Sequence, residues 1–124
     1  MSYVHLSHLF LFQQPTKFTK MSDSFHIVNL ISIAGMQGST SIRNSDYSAS
    51  KAALTSWSDA LRQELQDDGS QVKLTNVYPY IFDSPLFSGF SGLALNIIPL
   101  LKTEEVAERV YMAIVNEEDE VYVP

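Results

Sequence analysis

The chain has 124 residues and weighs 13.9 kDa, the size of one ordinary domain, which excludes a multidomain arrangement. With 45% hydrophobic and 18% charged residues it has the composition of a globular protein with one core, not of a disordered one. The formal charge of −6 divides unevenly, +2 over residues 1–62 and −8 over residues 63–124, and no basic patch stands ready to neutralise phosphates, which argues against nucleic-acid binding. Without cysteine there is neither disulfide nor thiolate chemistry, and His5, His8 and His26 lack the spacing of a structural metal site.

Residues 1–16, MSYVHLSHLFLFQQPT, are apolar but short. Val4 to Phe12 falls well below the roughly 20 residues that cross a bilayer, and it lacks the basic flank and cleavage site of a secretory signal. It reads as a lead-in, a short amphipathic helix at most, joined by a polar connector from Lys17 to Ser24. His26 to Ile33, HIVNLISI, is a near-continuous β-branched run, the pattern of a strand covered on both faces in a parallel sheet. Gly35 to Asn44 is a loop by composition. Asp46 to Gln66 is free of Gly and Pro, opens on the cap candidates Asn44, Ser45 and Asp46, and repeats Leu54, Trp57, Leu61 and Leu65 at helical spacing. Trp57, Leu61 and Leu65 suit a core or a subunit contact. Gly69 suits the C-terminal cap.

A second strand is expected from Val72 to Tyr78, stopped by Pro79. Tyr80 to Pro99 has the Gly, Pro, Ser and Phe content of a long loop near a site. Its phenylalanines, Phe82, Phe87 and Phe90, could line an apolar pocket or fill core beneath the loop. Thr103 to Val115 reads as a helix with Thr103 as N-cap and Val106, Val110 and Ile114 on one face. Glu120 to Val123 is a closing strand, and the acidic run Glu117 to Glu120 before it is a solvated turn. The order β–loop–α–β–long loop–α–β implies an α/β architecture with right-handed crossovers.

Three groups could do chemistry together. Tyr47 and Lys51 stand four apart on one helix face, where an ammonium can favour the phenolate and make tyrosine a usable acid/base. The spacing is weak evidence alone. Six tyrosines and five lysines in 124 residues produce it by chance in roughly one sequence in four. Ser32 stands at the carboxyl end of the first strand, the edge where open α/β sheets bind ligands, and the loop leading to Tyr47 starts from that edge. Pro79 opens the next loop there.

Taken together, HIVNLISIAG, DYSASKAAL and NVYPYIFDSPLF resemble, in order, the second half of the short-chain dehydrogenase/reductases. The resemblance covers residues 17–124. The wording YSASKAAL and the ending KTEEVAERVYMAIVNEEDEVYVP are most similar to the branch of retinol dehydrogenases and 17-beta-hydroxysteroid dehydrogenases. It implies a partial Rossmann fold, a doubly wound parallel sheet lacking its N-terminal half, with about three parallel strands and two main helices. It also implies hydride transfer between NAD or NADP and a lipophilic alcohol or ketone, retinoid- or steroid-like.

Carried over by position, Ser32 would steady the substrate oxygen, Tyr47 would be the acid/base, and Lys51 would lower the tyrosine pKa and hold the nicotinamide ribose. Pro79, Phe82 and Ser84 would meet the nicotinamide. Asn29 receives no role. The resemblance further implies a homodimer through the 46–66 helix. It places the protein inside the cell, in the cytoplasm or at the endoplasmic reticulum or lipid-droplet surface, with membrane association in a full-length relative.

The sequence departs from the pattern in three places. Tyr80 replaces the usual glycine after Pro79. Ser32 and Tyr47 stand 15 positions apart, wider than in many members. The glycine-rich turn Thr-Gly-x-x-x-Gly-x-Gly, over which the cofactor pyrophosphate approaches a helix N-terminus, does not occur in the 124 residues, and neither does the family's Asn-Ala-Gly segment. The expectation is therefore the carboxyl half of such an enzyme behind an unrelated start. The alternative function is a catalytically inactive truncated fragment that retains only a packing surface, with the first strand left as an unpaired edge.

Overall fold

The computed structural model describes residues 25–37, 44–83 and 100–124. Within them, β1 (His26–Leu30), β2 (Lys73–Pro79) and β3 (Glu120–Val123) form one parallel sheet in the order β1-β2-β3. The register pairs Asn29 with Asn76 and Val77 with Val121. Parallel neighbours cannot be joined by a tight turn, so each step needs a crossover. Helix α1 (Ser45–Asp67) lies between β1 and β2 in sequence, and α2 (Thr103–Val115) between β2 and β3.

The two helices occupy opposite faces, and the alternation of side chains along the strands shows why. Leu74, Asn76 and Tyr78 of β2 meet α1, through Leu61 and Leu65, Ser58, and Leu54 respectively. Val77 points the other way and packs with Val106 and Ala113 of α2 and with Val121 and Val123 of β3. One sheet thus carries apolar clusters on both sides, as a doubly wound fold requires.

The buried residues of α1 are Lys51, Leu54, Ser58, Leu61 and Leu65, a single stripe at helical spacing. Trp57, half-buried, touches the clusters of Leu61 and of Leu54. The helix ends as its glycine suggested: Gly69 takes φ 65, its amide meets the Gln66 carbonyl, and the Ser70 amide meets that of Leu65.

Four details differ from the sequence expectations. Strand β1 stops at Leu30, because the Ser32 hydroxyl accepts from the Ala34 amide (3.2 Å) and opens a 3-10 turn over Ile33–Gly35. Pro79 is the last residue of β2 and not its stop; the ladder runs on through the Tyr80 amide, which donates to the Val123 carbonyl. Thr103 is the first helical residue of α2 and not its cap. Its hydroxyl donates to the Asp83 carbonyl, while Glu105 accepts from the Lys102 amide (3.3 Å). Ile114 is exposed, and the α2 face turned to the sheet is Val106, Val110 and Ala113, where a small residue permits close approach.

The turn after α2 holds a residue under strain. Glu117 sits at φ 53, in the left-handed region, with its amide on the Ile114 carbonyl and the Glu118 amide on that of Ala113. A side chain there costs about 1–2 kcal/mol relative to glycine. The exposed Lys73–Glu117 pair (3.1 Å) returns little of it. Glu117→Gly should therefore stabilise the protein by about 0.5–1 kcal/mol in urea denaturation; an unchanged or lowered midpoint would show that the ion pair outweighs the backbone.

Candidate active site

Parallel strands place their carboxyl ends at one edge, and the candidate residues gather there. Past β1, the Ile31 amide still donates to the Val77 carbonyl (2.8 Å), and then buried Ser32 opens the 3-10 turn. That turn lies directly against α1. A Cβ on Gly35 would fall 2.8 Å from the carbonyl carbon of Lys51 and 2.9 Å from its oxygen, both backbone atoms that cannot step aside. Glycine is used here for close approach.

Lys51 is buried on the face of α1 turned to the sheet, only 6% exposed. Its Nζ donates to the Leu30 carbonyl at the last residue of β1 (2.9 Å) and stands 5.8 Å from the centroid of the Tyr47 ring one turn earlier. Burial disfavours the ammonium and lowers its pKa from 10.5 to about 8. Tyr47 is half-buried; its amide donates to Asp46 Oδ1 (2.9 Å) and its carbonyl accepts from the Ser50 hydroxyl (2.7 Å). Lysine and tyrosine therefore meet at the end of β1, and the turn begun by Ser32 packs on the same stretch of helix.

Two other candidates, Pro79 and Phe82, stand further along the edge. Pro79 is buried and paired with Val123. Phe82 is half-buried against the cluster of Val77 and Val106 and bridges to Leu101, so its side chain serves the core under α2. Ser84, Phe87 and Phe90 lie outside the described residues. Among the described residues no group of acidic or histidine side chains could hold a metal ion, and no helix is long and apolar enough to cross a membrane.

A sequence model of the family described as short chain dehydrogenase matches residues 2–91. The chain belongs to the short-chain dehydrogenase family. The match takes in residues 2–16, which the motifs alone leave outside the resemblance. The chain is 39% identical over 101 residues to the ketoacyl reductase HetN of Nostoc sp., covering 81% of this chain and 34% of that protein. It is 27% identical over 104 residues to human epidermal retinol dehydrogenase 2, covering 83% and 33%. Its fold superposes with a TM-score of 0.71 and 23% identity on a short chain dehydrogenase from Burkholderia cenocepacia solved in complex with NADP, covering 99% of this chain and 46% of that one. The chain thus spans about a third of the length of these curated relatives and under half of the solved structure.

Two features of this dehydrogenase edge escape the motif reading. The Leu30 carbonyl that receives Lys51 is a backbone group and leaves no side-chain signature. Asn29, left without a role, is buried and hydrogen-bonded to Ser58 of α1 and Asn76 of β2. The only sequence trace of that contact is a serine in the apolar stripe of α1, two turns after Lys51.

Gly35→Ala should push the turn and α1 apart and destabilise the protein by about 1–3 kcal/mol in thermal or urea unfolding; an unaltered midpoint would mean that the contact is slack. For Lys51, the folded pKa of about 8 lies below the ordinary 10.5, so between those values the unfolded chain holds a proton that the folded chain has shed. Stability then rises with pH across that window, as the penalty for burying a cation fades. Measured against Lys51→Met, which has nothing to titrate, the native chain should gain relative stability from about pH 8 to about pH 10; parallel curves would contradict the buried amine.

Proposed function

We propose that this chain carries the proton-handling part of an NAD(P)-dependent short-chain dehydrogenase/reductase acting on a lipophilic alcohol or ketone, retinoid- or steroid-like. The observation that carries the reading is the Lys51 amine held on the Leu30 carbonyl beside the Tyr47 ring, next to the turn that Ser32 opens. The residues present suit one end of the cofactor. The Lys51 donors and the Tyr47 phenol fit the vicinal hydroxyls of the nicotinamide ribose, and Pro79, which ends β2, with Phe82 and Ser84 after it in sequence, would meet the nicotinamide. When bound, the dinucleotide supplies the hydride acceptor or donor.

In the oxidising direction, the Tyr47 oxygen takes the proton of the substrate hydroxyl. The Ser32 hydroxyl holds the substrate oxygen in line. Protonated Lys51 keeps a positive charge beside the ring while the phenolic oxygen is charged. In reduction the same groups act in reverse, and Tyr47 returns the proton. An apolar substrate fits the kinship with a retinol dehydrogenase, whose name speaks of a lipophilic alcohol. A homodimer would use the outward side of α1, where exposed Ala52, Ala53, Ser56 and Ala60 leave room for a second helix.

One observation favours a second reading. The glycine-rich turn over which the pyrophosphate would approach a helix N-terminus does not occur in the sequence of these 124 residues, and the second reading is a catalytically inactive fragment. Titration with NADH and NADPH separates the two. Saturable binding at about micromolar concentrations, weakened by Lys51→Ala, supports the first, and no binding supports the second. In the active form, Tyr47→Phe should abolish turnover while sparing the fold by circular dichroism; retained turnover would remove Tyr47 from the mechanism.

A further inference from the structure

Asn29, Ser58 and Asn76 come from three different elements and are all buried, at 4%, 0% and 0% exposure. The Asn29 amide donates to the Ser58 hydroxyl oxygen (3.0 Å) and to Asn76 Oδ1 (3.1 Å), and the Ser58 hydroxyl donates to the same Oδ1 (2.6 Å). The triangle is closed, and it continues weakly from the Asn76 amide to the Tyr78 hydroxyl (3.5 Å). An apolar core needs no such group, and a buried polar group is tolerated only when its partners are in place.

We propose that the Asn29–Ser58–Asn76 triangle is a positioning device that fixes the rotation and register of α1 over the sheet and so delivers Lys51 and Tyr47 to the end of β1. The inference deepens the dehydrogenase reading and rests on it for the purpose of the device, though not for its mechanics. Leucine contacts are non-directional and survive a small slide or rotation of a helix. Hydrogen bonds do not. A slip of one residue turns a helix by about 100° and moves it about 1.5 Å, which carries Ser58 away and leaves the Asn29–Asn76 bond as the one side of the triangle still made. Ser58 lies two turns beyond Lys51 on the same face, so what is fixed at Ser58 is fixed about 10 Å away at the amine. Gly35 holds that other end, with no space for α1 to shift toward the turn. The gap between Lys51 Nζ and the Leu30 carbonyl, 2.9 Å, is the distance that this two-point seating sets.

The test reads the lysine and not turnover. The chain has five lysines, and carbon-13 labelling of all five, with Lys51 assigned through Lys51→Arg, gives the Lys51 titration by NMR without any cofactor. In Ser58→Ala, which removes one oxygen and leaves the volume nearly filled, the Lys51 midpoint should move up from about 8 by about one pH unit as the amine gains water. Leu65→Ala, further along the same stripe and outside the triangle, should lower the melting temperature without moving that midpoint. If both variants shift Lys51 equally, or if neither does, the triangle is ordinary core and the proposal falls. Ser58→Cys adds a little volume but keeps a weak donor, and should lie between native and Ser58→Ala. Should Ser58→Ala fail to fold, Ser58→Cys alone decides, and an unmoved midpoint overturns the proposal. A chain that binds no dinucleotide leaves this readout intact, so failure of the dehydrogenase reading and failure of the positioning role are seen separately.

Discussion

The contact between the Lys51 amine and the Leu30 carbonyl joins the helix that carries the candidate chemistry to the strand edge where that chemistry would occur. A lysine can be buried only if its donors are satisfied, and a strand's last carbonyl is a satisfying partner only if the helix passes within reach. That reach depends on a glycine in the turn, because any side chain at position 35 would meet the helix backbone. The stripe of Leu54, Leu61 and Leu65 presses α1 onto the sheet without fixing where along it the helix sits. Sheet order, crossover and cap all serve to make this one polar contact geometrically affordable.

Family membership and local geometry answer different questions. Membership in the short-chain dehydrogenases accounts for the order of elements and for the motif words around Ser32, Tyr47 and Lys51. The geometry adds that the lysine is turned inward, desolvated and bound to backbone while standing beside a tyrosine ring. An amine brought down to about 8 by burial is a tunable group, unlike a surface lysine.

Much of this fold was legible before any coordinates. β-branched runs announced β1 and β2, and a 3.6-residue period announced α1 and its buried leucines. Gly69 ended α1 as its conformational freedom predicted. The errors share a physical origin. The length of β1 and the place of Pro79 were decided by hydrogen bonds that the Ser32 hydroxyl accepts and the Tyr80 amide donates, which hydropathy does not register. Ile114 lost its place to Ala113 because the sheet demanded a small residue, not a more apolar one. At the candidate site, the four-residue spacing already puts Tyr47 and Lys51 on one helix face, where the structure has them adjacent. The Leu30 carbonyl and the Asn29–Ser58–Asn76 triangle were not legible, since each joins elements distant in sequence through atoms that no periodic pattern marks.

The parallel register has one more consequence, and it concerns how the chain reaches this arrangement. His26 pairs with Lys73 and Asn76 with Glu120, partners 47 and 44 positions apart. No rung of the sheet is local. Every rung waits on the closure of a long loop, whose entropy is lost before any pairing energy is returned. The sheet therefore cannot start from a hairpin, and the helices α1 and α2, whose bonds all lie within a few residues, are the described elements able to take shape ahead of it.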